Sequence, residues 1–193
     1  MLNDNANGWV MKEVEAVKST GDILYIGKTF QKHYSLKVFC IWELGLNLAL
    51  RISDLLDIKY TDIKDGYLTV IESKTNKEAK IHLNTKAIDI MQALKEANPD
   101  DTYLFQATDN RVKGVKPISR QYVTKAFKEV AVIVGIHIGT HSMRKTRGYH
   151  LFKKTNNITA VMKMLRHSNQ EVTLRYIGIT QEDVDRDFAE LVL

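Results

Sequence analysis

The chain has 193 residues, with 28 Lys or Arg against 23 Asp or Glu, a net charge of +5. At 44% hydrophobic and 26% charged it has the composition of one soluble globular domain, which excludes a disordered tail, a collagen-like chain and a low-complexity linker. The charge excess is a mild pointer to a polyanionic partner, and two prolines and ten glycines leave room for long regular elements.

Residues 1–10 are polar and Asn-rich and are expected to fray. From Met11 to Phe30 the pattern is weak, anchored by Val14, Val17, Ile23 and Ile26. Dense apolar spacing from 33 to 50 predicts a helix near the middle of the core, with Gly45 and Asn47 marking a break. Ser53 then caps a short helix carrying Leu55, Leu56 and Ile58. Residues 66–84 read as a β-hairpin: 67–73 is β-branched and aromatic, 79–83 alternates, and polar 74–78 turns between them. Helices are expected at 85–97, 119–134, 141–154, 158–166, 171–177 and 181–192. Thr180 and Asp183 form a capping pair for the last, whose stripe of Val184, Phe188, Leu191 and Val192 either folds back on its own core or docks on a neighbouring protomer. The fold class is therefore α+β, mainly α-helical with a small antiparallel sheet. The body runs over 11–180, followed by a separate C-terminal helix over 181–193.

Cys40 has no partner for an internal disulfide and lies in the run Val38-Phe39-Cys40-Ile41-Trp42, the setting of a small buried hydrophobe. No apolar run reaches the length of a membrane span, and the first ten residues lack a secretory signal's basic and apolar regions, so a cytoplasmic protein with no membrane partner is expected.

Three clusters carry chemistry. In the first, Arg51 stands between two apolar stretches, with Asp54 three residues on as its obvious ion-pair partner. The second is Thr140-His141-Ser142-Met143-Arg144-Lys145-Thr146-Arg147. His141 and Arg144 share one helix face at i, i+3, and a cap at Thr140 sets both at a helix N-terminus, where an anion is favoured. The third runs from Leu165 to Ile177, with His167 just before a Ser168–Glu171 capping box and Tyr176 at the end of the short helix. Metal-ligand spacing, a P-loop and a dinucleotide fingerprint are all missing, so no cofactor and no metal are expected.

In order and spacing these clusters resemble the catalytic domain of the tyrosine recombinase (phage integrase) family. The matching segments are Leu50-Arg51-Ile52-Ser53-Asp54-Leu55, Ser73-Lys74-Thr75-Asn76-Lys77, His141-Ser142-Met143-Arg144, Leu165-Arg166-His167-Ser168 and Arg175-Tyr176. The likeness runs from about residue 11 to the C-terminus. It departs where Arg166 replaces a frequent Gly and where Ala49-Leu50 replaces the usual Thr-Gly-Leu.

The resemblance implies a site-specific DNA recombinase that cleaves and rejoins double-stranded DNA through a 3′-phosphotyrosine, without metal or nucleotide. It implies six catalytic residues: Arg51, Lys74, His141, Arg144, His167 and Tyr176. Two fixed guanidiniums suit a phosphoryl transition state. A phenol, which ordinarily titrates near pH ~10, needs help losing its proton. His141 either takes that proton or orients and neutralises the site, and His167 either bonds the phosphate or positions Tyr176. Lys74 is the expected general acid for the leaving 5′ oxygen, with Lys77 as its competitor in the same turn. Lys113, Lys116, Arg120, Lys125, Lys128, Lys145, Arg147, Lys153 and Lys154 are expected phosphate contacts. Arg175, His150 and His137 are read as phosphate contact, solvent or packing. The implied partners are DNA, a homo-tetramer assembled on it, and accessory DNA-bending proteins. Too few residues precede Arg51 for the family's usual extra DNA-binding domain, so the chain is either an excised catalytic part or a naturally short recombinase. The alternatives on the same scaffold are a type IB topoisomerase-like enzyme and a non-catalytic DNA-binding regulator.

Overall fold

The computed structural model describes residues 14–108, 114–190 and 192. The stretch 1–10, Lys113 and the side chains of Val184 and Leu191 lie outside the described residues. Along the chain come α1 (Thr20–His33), α2 (Leu36–Leu48), α3 (Ile52–Leu56), strands β1 (Ile63–Lys64), β2 (Tyr67–Ile71) and β3 (Glu78–His82), then α4 (Thr85–Ala97), α5 (Arg120–Val134), α6 (Ser142–Thr155), α7 (Ile158–Leu165), α8 (Gln170–Ile177) and α9 (Gln181–Glu190). This is the mainly helical α+β architecture expected.

The weak pattern before Phe30 conceals α1. Ser19 caps it by accepting from the Asp22 amide at 3.2 Å, and Ile26 and Phe30, one turn apart, are fully buried. Leu24 and Tyr25 face solvent on the same helix, which blurs its periodicity. The expected break at Gly45 and Asn47 is absent, because both serve the helix. Asn47 donates to the Glu43 carbonyl at 2.8 Å, and Gly45 lets α6 approach so closely that a Cβ there would lie 2.1 Å from Met143 Sδ. The helix stops one turn later at Ala49, in the left-handed region with φ 53°.

The hairpin forms in the alternating register, Tyr67 opposite His82 and Val70 opposite Ala79, with Leu68 and Val70 facing inward. A third strand, β1, joins β2 through the turn Asp65-Gly66, where both residues have positive φ, as a tight hairpin turn requires. The sheet order is β1-β2-β3.

The main core centres on Phe30, Trp42 and Phe127, whose rings lie 4.7 to 6.0 Å apart, and draws on α1 to α5 and the sheet. A second cluster of Ala49, Val161, Leu165 and Ile177 fills the space under α6, α7 and α8, with Tyr176 packed against it. Gly148 allows that packing, since a Cβ on it would meet Ile177 Cγ2 at 2.7 Å. The segment 14–18 crosses α6: the Val17 amide donates to Thr146 Oγ1 at 2.8 Å, and His150 Nε2 donates to the Val17 carbonyl at 3.1 Å. Arg144 is bound to the Ala49 and Leu165 carbonyls of the second cluster, and Tyr176 packs against it.

Three caps differ from expectation: α3 starts at Ile52, so Arg51, not Ser53, occupies its cap position. Asn169, not Ser168, caps α8 by accepting from the Val172 amide at 2.9 Å. His141, not Thr140, occupies the cap position of α6, with no side-chain cap bond, while Ser142 Oγ accepts from the Gly139 amide. The Thr180–Asp183 pair forms reciprocally ahead of α9. Phe188 on that helix is 83% exposed, so it does not fold back on the core.

Candidate active site

Arg144 is buried on the first turn of α6, where an unpartnered guanidinium would be costly. It donates to two main-chain carbonyls, Ala49 at the end of α2 and Leu165 at the end of α7. Both α2 and α7 end in left-handed caps, Ala49 with φ 53° and Arg166 with φ 53°, and it is these turns that present the carbonyls. They are the two positions where the sequence departs from the family's glycines, and the geometry explains why glycine is common there. Burial pushes the Arg144 pKa down, partly opposed by Tyr176, whose phenol lies within electrostatic reach.

Arg51 stands at the junction of α2 and α3 with its side chain 18% exposed. Its expected partner, Asp54, forms a long ion pair with it through Oδ2 at 3.9 Å, while Asp54 Oδ1 accepts from the Ser73 amide at 3.0 Å and from Ser73 Oγ at 2.6 Å. The closer partner is Glu72, fully buried, whose Oε1 accepts from Arg51 at 2.9 Å and from Arg166 at 2.9 Å. Glu72 was missed in the sequence, although the period of two that sends Leu68 and Val70 inward also sends Glu72 inward. Lys74 follows two residues later, exposed on the hairpin turn, and its charge reaches His167.

His141 and His167 are both held below the usual histidine range. Burial is the largest cause for each. After it come Arg144, Arg120, Lys145 and Arg51 for His141, and Arg144, Arg51 and Lys74 for His167. His167 Nδ1 lies 3.2 Å from Thr173 Oγ1, which already donates its only hydrogen to the Asn169 carbonyl at 2.7 Å. The imidazole therefore carries its hydrogen on Nδ1, leaving Nε2 as the acceptor. The His167 ring meets the Tyr176 ring edge-on at 5.0 Å, and Lys145 Nζ lies 4.9 Å from the centre of the same ring.

The structure thus brings all six expected residues into one electrostatic neighbourhood and adds Glu72, Arg166 and Lys145. Lys145 was expected on the DNA-facing surface, but it is buried beside the tyrosine because it lies on the inner face of α6. Arg147 is likewise half-buried, and burial pushes its pKa down. Lys116, Lys153 and Lys154 are exposed, while Arg120, Lys125 and Lys128 line an open groove on α5 with Gln121 and Thr124. His150 packs against the 14–18 segment and His137 faces solvent. A cleft beside Tyr176 is bordered by Val14, Lys18, Arg175 and Gly178. Among the described residues no group of three His, Cys, Asp or Glu is placed to hold a metal ion, and no helix is long and apolar enough to cross a membrane.

A sequence profile of the phage integrase family matches residues 21–183. The chain belongs to the phage integrase family. Its relatives include the probable integrase/recombinase YoeC of Bacillus subtilis, 34% identical over 175 residues that cover 89% of this chain and 88% of that one. The tyrosine recombinase XerC of Proteus mirabilis is 32% identical over 142 residues, covering 69% of this chain and 45% of XerC. The chain therefore spans most of the first relative and less than half of the second. Among solved structures, XerA recombinase superposes with a TM-score of 0.71 at 13% identity, covering 93% of this chain and 64% of that one. The lambda integrase catalytic core superposes at 0.64 and 21% identity, over 79% of this chain and 90% of that one. The integrase-family chain has the tyrosine recombinase catalytic-domain fold.

Proposed function

We propose that this phage integrase family member cleaves and rejoins duplex DNA at specific sites, with Tyr176 as nucleophile. The observation that carries the proposal is the meeting of a half-buried tyrosine, two neutral-biased histidines and two fixed guanidiniums in one electrostatic neighbourhood. The Tyr176 oxygen attacks the scissile phosphorus, the bond from phosphorus to the 5′ oxygen breaks, and a 3′-phosphotyrosine remains. Arg51 and Arg144 stabilise charge building on the non-bridging oxygens; neither has to be reorganised during the step, because Glu72 and two carbonyls already fix them. His141, neutral at pH 7, accepts the phenolic proton. His167, with Nε2 as acceptor, orients the phenol. Lys74 gives a proton to the leaving 5′ oxygen. A second 5′-hydroxyl reverses the sequence and joins a new partner, conserving the phosphodiester energy.

One solved relative of the same fold is a lambda integrase tetramer bound to a Holliday junction, at 20% identity. The exposed Phe188 on α9 supports a comparable homo-tetramer on DNA for this chain, through docking of that helix on a neighbouring protomer. Accessory DNA-bending proteins and a cytoplasmic setting complete the proposal. The test is a metal-free trapping assay on nicked duplexes from the flanks of the native locus. Wild type is expected to give a denaturation-resistant protein–DNA adduct and Tyr176→Phe none, with DNA binding retained in both. Binding without an adduct from wild type would overturn the catalytic proposal in favour of a DNA-binding regulator.

A further inference from the structure

We propose that Arg166 is a positioning residue for the general acid: through the buried Glu72 it latches the β2–β3 turn, and with it Lys74, to the end of α7. The inference rests on the function proposed above.

Arg166 occupies a left-handed cap, φ 53° and ψ 44°, where glycine alone is free of strain. A long side chain kept at such a position points to a use for the side chain. That use is on hand: its NH1 donates to Glu72 Oε1 at 2.9 Å, the same oxygen that receives Arg51. The other carboxylate oxygen accepts from Thr75 Oγ1 at 3.0 Å. The turn carrying Lys74 is wound on the same residue, since the Glu72 amide donates to the Lys77 carbonyl at 3.0 Å and the Asn76 amide donates to the Glu72 carbonyl at 2.8 Å. One buried carboxylate therefore ties together three segments: the α2–α3 junction through Arg51, the turn of Lys74, and the α7 cap that leads into His167. With Arg51 alone, the carboxylate would neutralise a guanidinium the phosphate needs. The second guanidinium shares that carboxylate, so Arg51 is not its sole counter-ion, and it anchors the turn from the opposite side.

The test compares wild type, Tyr176→Phe, Lys74→Ala, Arg166→Gly and Glu72→Gln on two nicked duplexes. One has the natural 5′ oxygen at the scissile phosphate and the other a bridging 5′ sulfur. A 5′-thiolate, with a thiol pKa of about 8.5, departs without a proton and so makes the general acid dispensable. Arg166→Gly relaxes the backbone while removing the latch, so its fold is retained, checked by thermal melting. On the oxygen substrate Arg166→Gly and Glu72→Gln are expected to cleave about 10- to 100-fold more slowly than wild type. On the sulfur substrate Arg166→Gly returns to near the wild-type rate, as Lys74→Ala does, whereas Glu72→Gln, which also loosens Arg51, is restored only in part. If Lys74→Ala is restored and Arg166→Gly is equally slow on both substrates, or is as fast as wild type on oxygen, the latch is refuted and the proposed function stands. If wild type forms no adduct, or sulfur does not restore Lys74→Ala, the catalytic assignment fails and the latch with it.

Discussion

Replacing Gly45 with alanine tests how α6 is held in register with α2. The new Cβ would stand 2.1 Å from Sδ, 2.7 Å from Cε and 3.1 Å from Cβ of Met143. Comfortable carbon contacts lie at about 3.5–4.0 Å. Met143 is fully buried, so its side chain has no solvent to swing into, and its own Cβ is too near for rotation alone to relieve the clash. Overpacking of this kind costs about 1–3 kcal/mol, and alanine's better helix propensity returns up to about 1 kcal/mol. The net loss is about 1–2 kcal/mol, or about 2–8 °C in Tm for a chain of this size. Because Met143 precedes Arg144, cleavage is expected to fall further than stability does, by about tenfold or more.

The assay is urea unfolding and adduct formation for Gly45→Ala, Met143→Ala and the double variant. Met143→Ala opens a cavity costing about 2–5 kcal/mol. The alanine methyl at 45 partly fills it, so the double variant is expected to be more stable than additivity predicts by at least about 1 kcal/mol. Strict additivity, or a Gly45→Ala protein as stable and as active as wild type, would refute the steric account.

Burial and neighbouring cations depress the pKa of His141 and His167, so as pH falls the unfolded chain takes these protons first. Their contribution to stability is complete above about pH 6.5, the unfolded value, and is lost as pH drops toward the folded values. A His141→Gln/His167→Gln protein is expected to show a flatter stability profile below about pH 6.5 in urea titrations; parallel profiles would contradict this. Lys74→Ala is expected to slow cleavage by about 10²- to 10⁴-fold. Lys77→Ala should instead reduce the salt dependence of DNA binding by about one phosphate while sparing the rate, and swapped effects would reassign the acid. The Asp183 carboxyl, lowered to about 2 by the Thr180 amide and then by Arg186, is expected to protonate only near that pH in a carbon NMR titration. The cap it forms ahead of α9 is present above the unfolded value of about 3.9 and is lost as pH falls through about 2, whereas a midpoint near 4 would mean the cap does not form in solution.

The hairpin and α4 were legible in the sequence because alternation and i, i+3, i+4 spacing there are undisturbed by other demands. Helix α1 was not, because Leu24 and Tyr25 lie on its exposed face and leave two deep anchors to signal it. The apparent break in α2 came from reading Gly45 by propensity, when its small size serves an interhelical contact. In the site, the motif residues were readable as types at spacings. Asp54 was legible as a partner of Arg51 and pairs with it at 3.9 Å; what sequence did not supply was the closer partner, Glu72 at 2.9 Å, which strand register delivers. The hydroxyl of Thr173 that fixes the His167 tautomer lies on the next helix and carries no motif signal of its own.

The segment 14–18 and the start of α9 are far apart in sequence, yet they flank the same cleft beside Tyr176. Lys18 of one lies 3.9 Å from Asp183 of the other. Tyr176 thus borders a cleft at which the two ends of the described fold meet. Changes along 14–18, which touch none of the motif residues in sequence, are therefore changes to the wall of the cleft that position 176 lines.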